Sequence, residues 1–205
     1  WNETQKNAST SELPSELRGV ASNPNGFGSL SRRVSIKPII AAVNGGAYGG
    51  GMEILLNCDI VVTEKNAKFA LPEVTRGVIA IQGGIPRLAQ VAGTQFALEM
   101  LLTGRTVTAE EAHTRFRFVN EVVSTTDEVI PTALEFAYRI CQNSPDAVQA
   151  TKKGVLVGNG SHERTVVNHL WDPVHIRTYR GGNIKEGLQA FVEKRLPVWK
   201  SPAKL

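Results

Sequence analysis

The run KPIIAAVNGGAYGGGMEILLNCDIVV, residues 37–62, decides how the rest of the chain is read. Its first part, Pro38 to Val43, is a short continuous apolar run closed by Asn44-Gly45, the pattern of a buried strand. The glycines that follow predict a tight turn, a short helix from about Gly50 to Asn57 and a strand over Asp59–Thr63, with a further short strand at Lys68–Ala70. Strand, glycine turn, helix and strand in that order make a βαβ-like unit, for which a right-handed crossover and a partly parallel sheet are the expectation.

The same run carries the first chemical hint. Gly49, Gly50 and Gly51 open the helix, so another group can approach the backbone closely, and the first-turn N–H groups have no intrahelical acceptor. An anion or oxyanion suits such a spot, and a tight packing turn is the plainer alternative. No G-x-G-x-x-G fits residues 44–51, and Met52 stands where a P-loop needs Lys, so both phosphate-binding signatures are excluded. Glu53 falls in the first turn of the helix, and Glu73 follows in FALPEV just past the Lys68–Ala70 strand. Two carboxylates flanking an oxyanion site can manage a water and a proton, as the addition of water across a polarised double bond requires. Taken alone, the pair reads more simply: Glu53 as a helix-dipole partner and Glu73 as a solvent residue or turn former.

Outward from this centre, residues 1–33 are rich in Ser, Asn, Glu and Gly and read as a mobile segment, a lid or linker with at most one short helix near Glu12–Val20. Downstream, apolar residues at three- and four-residue steps predict helices from Leu88 to Leu102, with Gly93 and Gly104 as stops. Thr108 and Glu111 form a capping-box pattern at the next helix start, and Phe118–Val123 reads as a strand. After Asp127 the chain reads as helical, with Ser144-Pro145 opening a helix through Val157 and further helices over 162–180 and 184–195.

Composition removes whole classes of function. With 41% hydrophobic and 20% charged residues in 205, the chain can offset the entropy of ordering, and no apolar run approaches the roughly 18 residues that span a bilayer. Cys58 and Cys141 cannot form a disulfide framework, and His113, His162, His169 and His175 lack metal-ligand spacing, so no metal site is expected. No G-x-S-x-G elbow is present. The basic excess lies in residues 151–205, with ten Lys/Arg against four Asp/Glu; interleaved aromatic residues are sparse, and nucleic acid is not the expected partner.

The run 37–62, the A-K-F-A-L-P-E-V stretch after it, PRLAQVAG, LLTGRTVTAEEA, FVNEVV and EGLQAFVEKRLPVWK together resemble the enoyl-CoA hydratase/isomerase family, the crotonases, over about Ile36 to Lys200. The resemblance implies an α/β fold: a crotonase-like spiral of ββα turns over 1–126, truncated at its N-terminal strands, and a helical oligomerisation region over 127–205. It implies homotrimers or dimers of trimers. It implies enoyl-CoA hydratase activity, the reversible syn addition of water to a 2-enoyl-CoA thioester, or dehydration of a related hydroxyacyl-CoA such as carnitinyl-CoA, whose dehydratases the C-terminal stretch resembles in particular. Double-bond isomerisation and RNA binding are the alternatives. The N–H of Gly50 would be half of the oxyanion hole, Glu53 would activate the water, and Glu73 would deliver a proton to the α-carbon. Gly49, Gly51, Phe191 and Lys194 would contact substrate, the last two through the coenzyme A of a neighbouring subunit. Coenzyme A is then part of the substrate and no separate cofactor is expected. Two departures stand out: VIAIQGG replaces a Pro-Gly stretch whose backbone N–H helps hold the water, and Arg117 stands where Gly is common, at about 1–2 kcal/mol if the left-handed conformation is kept. Trp1 aligns just after the family segment that supplies the second oxyanion donor. The ending Ala203-Lys204-Leu205 resembles a peroxisomal address, with a mitochondrial location as the alternative.

Overall fold

A computed structural model describes residues 18–19, 22–159, 163–170 and 173–201. The apolar run becomes strand β1 (Ile40–Val43), half-buried rather than buried as expected, and the chain then turns through Asn44–Gly46 into a two-residue strand, β2 (Ala47–Tyr48), before helix α1 (Gly50–Leu55). Strands β3 (Ile60–Glu64) and β4 (Lys68–Ala70) follow. The sequence pattern predicts these strands in one partly parallel sheet, with Ala47-Tyr48 as part of the turn. Instead, with β5 (Val107–Thr108) and β6 (Glu121–Val123), they divide between two three-stranded sheets, ordered β1-β3-β6 and β2-β4-β5. The glycine turn after β1 carries the chain out of the first sheet and into the second before α1 begins. One strand for each sheet and then a helix is the repeat of a ββα spiral.

Registers follow from this alternation. In the first sheet, β3 runs parallel to β6 (Glu121–Val123), with Val62 opposite Glu121. In the second, β2 runs parallel to β4, and β4 runs antiparallel to β5 (Val107–Thr108), with Phe69 opposite Val107. Strand β6 is shorter than the expected Phe118–Val123. The N–H groups of Phe118 and Val119 return to the Ala112 carbonyl, and Arg117 takes a left-handed φ of 60°, so the pairing begins only at Asn120. There the Asn120 N–H donates to the Val61 carbonyl at 2.9 Å while its side-chain oxygen accepts from the Val61 N–H at 2.8 Å. The non-glycine residue thus keeps the conformation glycine would adopt.

Helices α2 (Gly84–Ala92) and α3 (Thr94–Thr103) are separated at Gly93 and stopped at Gly104, as the spacing predicts. Thr108 caps α4 (Ala109–Thr114): its hydroxyl accepts from the Glu111 N–H at 3.1 Å, and Glu111 accepts from the Thr108 N–H at 3.0 Å. Met52 and Leu55 from α1 share a buried core with Val61, Phe69, Leu88, Met100 and Val107. Phe118 meets Phe69 edge-to-face at 5.5 Å between ring centroids, one of the favoured aromatic geometries.

Two compact units emerge. One comprises the described residues within Trp1–Val34 and Ala41–Val129; the other comprises those within Ser35–Ile40 and Ile130–Leu205. Helix α5 (Thr126–Cys141) passes from the first to the second. The second unit holds α6 (Pro145–Gly158), α7 (Glu163–Leu170), α8 (Pro173–Arg180) and α9 (Gly182–Val192). The single helix expected over 162–180 is two helices: Pro173 has no N–H to continue a helical ladder and is suited to the first turn of a new one. Past α9, Glu186 accepts from the Arg195 guanidinium at 2.6 and 3.1 Å and from the Val198 N–H at 2.7 Å. The Trp199 indole donates to the Gln142 carbonyl at 2.7 Å. The motif EGLQAFVEKRLPVWK therefore folds back and locks itself.

The short helix expected near Glu12–Val20 falls mostly on residues outside the described set, as does the ending Ala203–Leu205. Of the segment read as mobile, the later part has defined bonds: Asn57 Nδ2 donates to the Leu30 and Arg33 carbonyls at 2.6 and 2.9 Å. No helix among the described residues is long and apolar enough to cross a membrane.

Candidate active site

The site is built on the turn from β2 into α1 and on two loops that return to it. Gly49 spends its N–H on the Ala70 carbonyl at 3.1 Å, which holds the turn against β4. Gly50 and Gly51 then begin the helix, where first-turn N–H groups have no acceptor four residues back. A Cβ on Gly50 would lie 2.6 Å from the Phe27 ring, so only glycine allows the ring to close against this backbone. Beside Gly51 the space is open.

Glu53, one turn into α1, is 3% exposed. Its Oε1 accepts from two backbone N–H groups, that of Gln82 at 2.7 Å and that of Gly84 at 3.0 Å. Charge-assisted bonds from backbone donors fix a carboxylate better than solvent could, because the donors are already held by the fold. The Gly83-Gly84 bend that supplies them fits Glu53 closely: a Cβ on Gly84 would come within 3.0 Å of Glu53 Cγ. No hydrogen bond to Glu53 Oε2 is formed among the described residues. Arg87, one turn into α2, donates through Nη1 to the Ser31 carbonyl and so ties the Phe27–Arg33 segment to the same loop. Burial pushes its guanidinium down from the ordinary value, and the Glu53 charge opposes the shift.

Glu73 opens a single 3₁₀ turn, Glu73–Arg76, just past β4. Thr75 closes that turn, donating through both its N–H and its hydroxyl to the Pro72 carbonyl at 2.9 and 2.7 Å. Glu73 Oε1 lies 3.4 Å from where a Cβ of Gly49 would stand, so its carboxyl lies against the glycine turn. Its Oε2 is buried without a hydrogen-bond partner. Burial pushes the Glu73 carboxyl above the ordinary range, and the neighbouring charge of Glu53 adds to the shift. A fixed carboxylate, a carboxyl biased toward its protonated form and a glycine turn therefore share one site.

The structure thus brings Gly49, Gly50, Glu53 and Glu73 together around this turn. Phe191 and Lys194 lie in the second unit: Phe191 is 83% exposed at the end of α9, and Lys194 takes a left-handed φ of 53° just after it. His113 Nδ1 bonds the Val119 carbonyl at 3.1 Å, which gives it a structural place. His162 lies outside the described residues, as do the side chains of His169 and His175. No group of three or more potential metal ligands occurs among the described residues. Sequence reasoning missed the Gln82 and Gly84 donors and the Arg87 tie. A backbone donor has no residue signature, and the one pointer to this loop was the departure of VIAIQGG from the family pattern.

Known proteins resemble the chain in sequence and in fold. The family model described as enoyl-CoA hydratase/isomerase matches residues 27–202. The mevalonyl-coenzyme A hydratase of Aspergillus fumigatus is 41% identical over 206 residues, an alignment covering 100% of this chain and 72% of the relative. The carnitinyl-CoA dehydratase of Salmonella typhi is 39% identical over 186 residues, 86% of this chain and 69% of that protein. The crystal structure of an enoyl-CoA hydratase from Mycobacterium tuberculosis superposes with a TM-score of 0.83 at 33% identity, covering 89% of this chain and 71% of that one. By its sequence match and its fold, the chain belongs to the enoyl-CoA hydratase/isomerase family.

Proposed function

We propose that this protein is a hydro-lyase that adds water to, or removes it from, an acyl thioester of coenzyme A, interconverting a 2-enoyl-CoA and a 3-hydroxyacyl-CoA. The observation that carries the reading is the pairing at the glycine turn: Glu53 is held through one oxygen by two backbone N–H groups, and Glu73, half-buried, lies against the same turn with its Oε2 enclosed and its carboxyl raised above the ordinary range. The Gly50 N–H polarises the thioester carbonyl, so negative charge can develop on its oxygen as the β-carbon is attacked. Glu53 takes a proton from water through its second oxygen, and the hydroxide adds to the β-carbon. Glu73, protonated, gives its proton to the α-carbon on the same face. Transfer of the proton from Glu53 back to Glu73 restores both groups, so one water is consumed and the addition is syn. Retention of both glutamates favours hydration over double-bond isomerisation, which needs only one of them.

Gly49 and Gly51 leave room for the thioester in this scheme, while Phe191 and Lys194 meet the coenzyme A of a neighbouring subunit in a homotrimer or dimer of trimers. The ending Ala203-Lys204-Leu205 serves as a peroxisomal address. A fluorescent reporter carrying the last dozen residues tests the address, and diffuse signal counts against it. The catalytic assignment is tested with crotonyl-CoA, followed by loss of enoyl absorbance. Glu73→Gln is expected to lower kcat by about 10²–10⁴-fold with little change in acyl-CoA affinity. Unchanged turnover in that variant would remove Glu73 from the mechanism.

A further inference from the structure

Gln82 contributes more than its backbone N–H. The residue is 5% exposed, and its Oε1 is buried without a hydrogen-bond partner. A buried carboxamide without a partner is costly, and the same volume could be filled by an apolar side chain without that cost. Its surroundings in sequence are apolar: Val78, Ile79 and Ile81 are exposed and Ala80 is buried. One polar point in an otherwise apolar stretch is how ligand sites orient a substrate. The Gln82 N–H lies 2.7 Å from the Glu53 oxygen, so this side chain begins beside the carboxylate that works at the β-carbon.

We propose that the Gln82 carboxamide is a specificity determinant, receiving a hydrogen bond from a hydroxyl carried by the acyl chain beyond its β-carbon. The substrate class is then a hydroxylated acyl thioester rather than a plain alkyl one. The position of the chain relative to Gln82 rests on the hydratase reading above. Because Gln82 starts next to Glu53, the proposal places the hydroxyl on carbon 4 or 5. The ligand hydroxyl satisfies the orphan acceptor, and an alkyl chain leaves it unpaired, which is the situation in which a polar site discriminates strongly.

The test uses non-reacting saturated thioesters in matched pairs, butanoyl-CoA with 4-hydroxybutanoyl-CoA and pentanoyl-CoA with 5-hydroxypentanoyl-CoA. Their affinities are measured by calorimetry for the wild type and for Gln82→Met, which keeps the length and removes the carboxamide. The wild type is expected to bind at least one hydroxylated member about tenfold or more tightly than its parent, and Gln82→Met to lose that preference while holding the alkyl members as well as before. The thermal midpoint of Gln82→Met is expected to equal or exceed that of the wild type, because a buried unpartnered group has been removed. Equal affinities within both pairs would overturn the proposal, as would a midpoint several degrees lower, which would reveal a protein partner for the carboxamide. Hydration of crotonyl-CoA, assayed in parallel, separates the two readings. Turnover without hydroxyl preference defeats only this proposal, preference without turnover defeats only the hydratase reading, and failure to bind any member defeats both.

Discussion

Glu53 in the first unit and Glu186 in the second are both carboxylates held by convergent donors, yet they are held in opposite ways. Glu53 is buried and anchored through a single oxygen by two backbone N–H groups. Glu186 has both oxygens engaged by the Arg195 guanidinium, and Oε1 also accepts from the Val198 N–H. The guanidinium and that N–H hold the Glu186 carboxyl down at about 2, far below the ordinary carboxylate value. A carboxylate with both oxygens engaged by fixed donors stays ionised and locks a tail. One anchored by an edge keeps its other oxygen for a proton. What separates the structural from the catalytic carboxylate here is the distribution of donors over the two oxygens.

The largest test of this contrast sets Glu53→Gln against Glu186→Gln. Hydration by the first is expected to fall by about 10²–10⁴-fold. Turnover by the second should stay near wild type, while hydrogen exchange at the Val198 amide accelerates as its acceptor weakens. Comparable losses of activity in both variants would erase the distinction. A smaller effect is expected when the anchor is strained and the carboxylate kept. Gly84→Ala places a methyl 3.0 Å from Glu53 Cγ and 3.3 Å from Ala80 Cβ, so Glu53 must give way. Misplacement on the scale of 1 Å costs about 10²-fold, and a loss of about 10- to 100-fold in kcat with intact folding is the expected outcome.

Titration sharpens the comparison further, because Glu73 and Glu186 are shifted in opposite directions from the ordinary carboxylate value. Glu73 is raised, so its protonated form persists above the ordinary carboxylate value, and the hydration rate is expected to fall about tenfold per pH unit once the pH has passed its pKa. Any stability linked to that proton is present below the unfolded value and lost as pH rises through the raised one. Glu186 is lowered, so its contribution is present above the unfolded value and lost only as pH falls toward about 2. Carbon-detected carboxyl titration by NMR reads both. The smallest effect belongs to a third carboxylate, Glu111, which accepts from the Thr108 N–H and is held down chiefly by Arg105. Thr108→Ala removes half of this capping box and is expected to cost about 1 kcal/mol in denaturant unfolding without altering kcat.

Local rules written in residue types were legible from the sequence alone. The apolar run at Pro38–Val43, the glycine stops at Gly93 and Gly104, and the Thr108–Glu111 box depend on neighbours a few positions apart, and the structure follows them. Glu53 and Glu73 were visible as candidates because the family resemblance marks them as residue types at fixed positions. The division of the strands into two sheets was not visible, since a two-residue strand such as Ala47-Tyr48 carries no periodicity and is defined only by its partner Phe69-Ala70. Nor was the anchoring of Glu53 by residues 29 and 31 positions away, because backbone N–H groups are common to nearly every residue and only the folded chain selects which two converge. The sequence by itself determined which groups could do the chemistry. Tertiary structure alone decided which oxygen of Glu53 is spent on the fold, and that choice follows from backbone donors that no side chain announces.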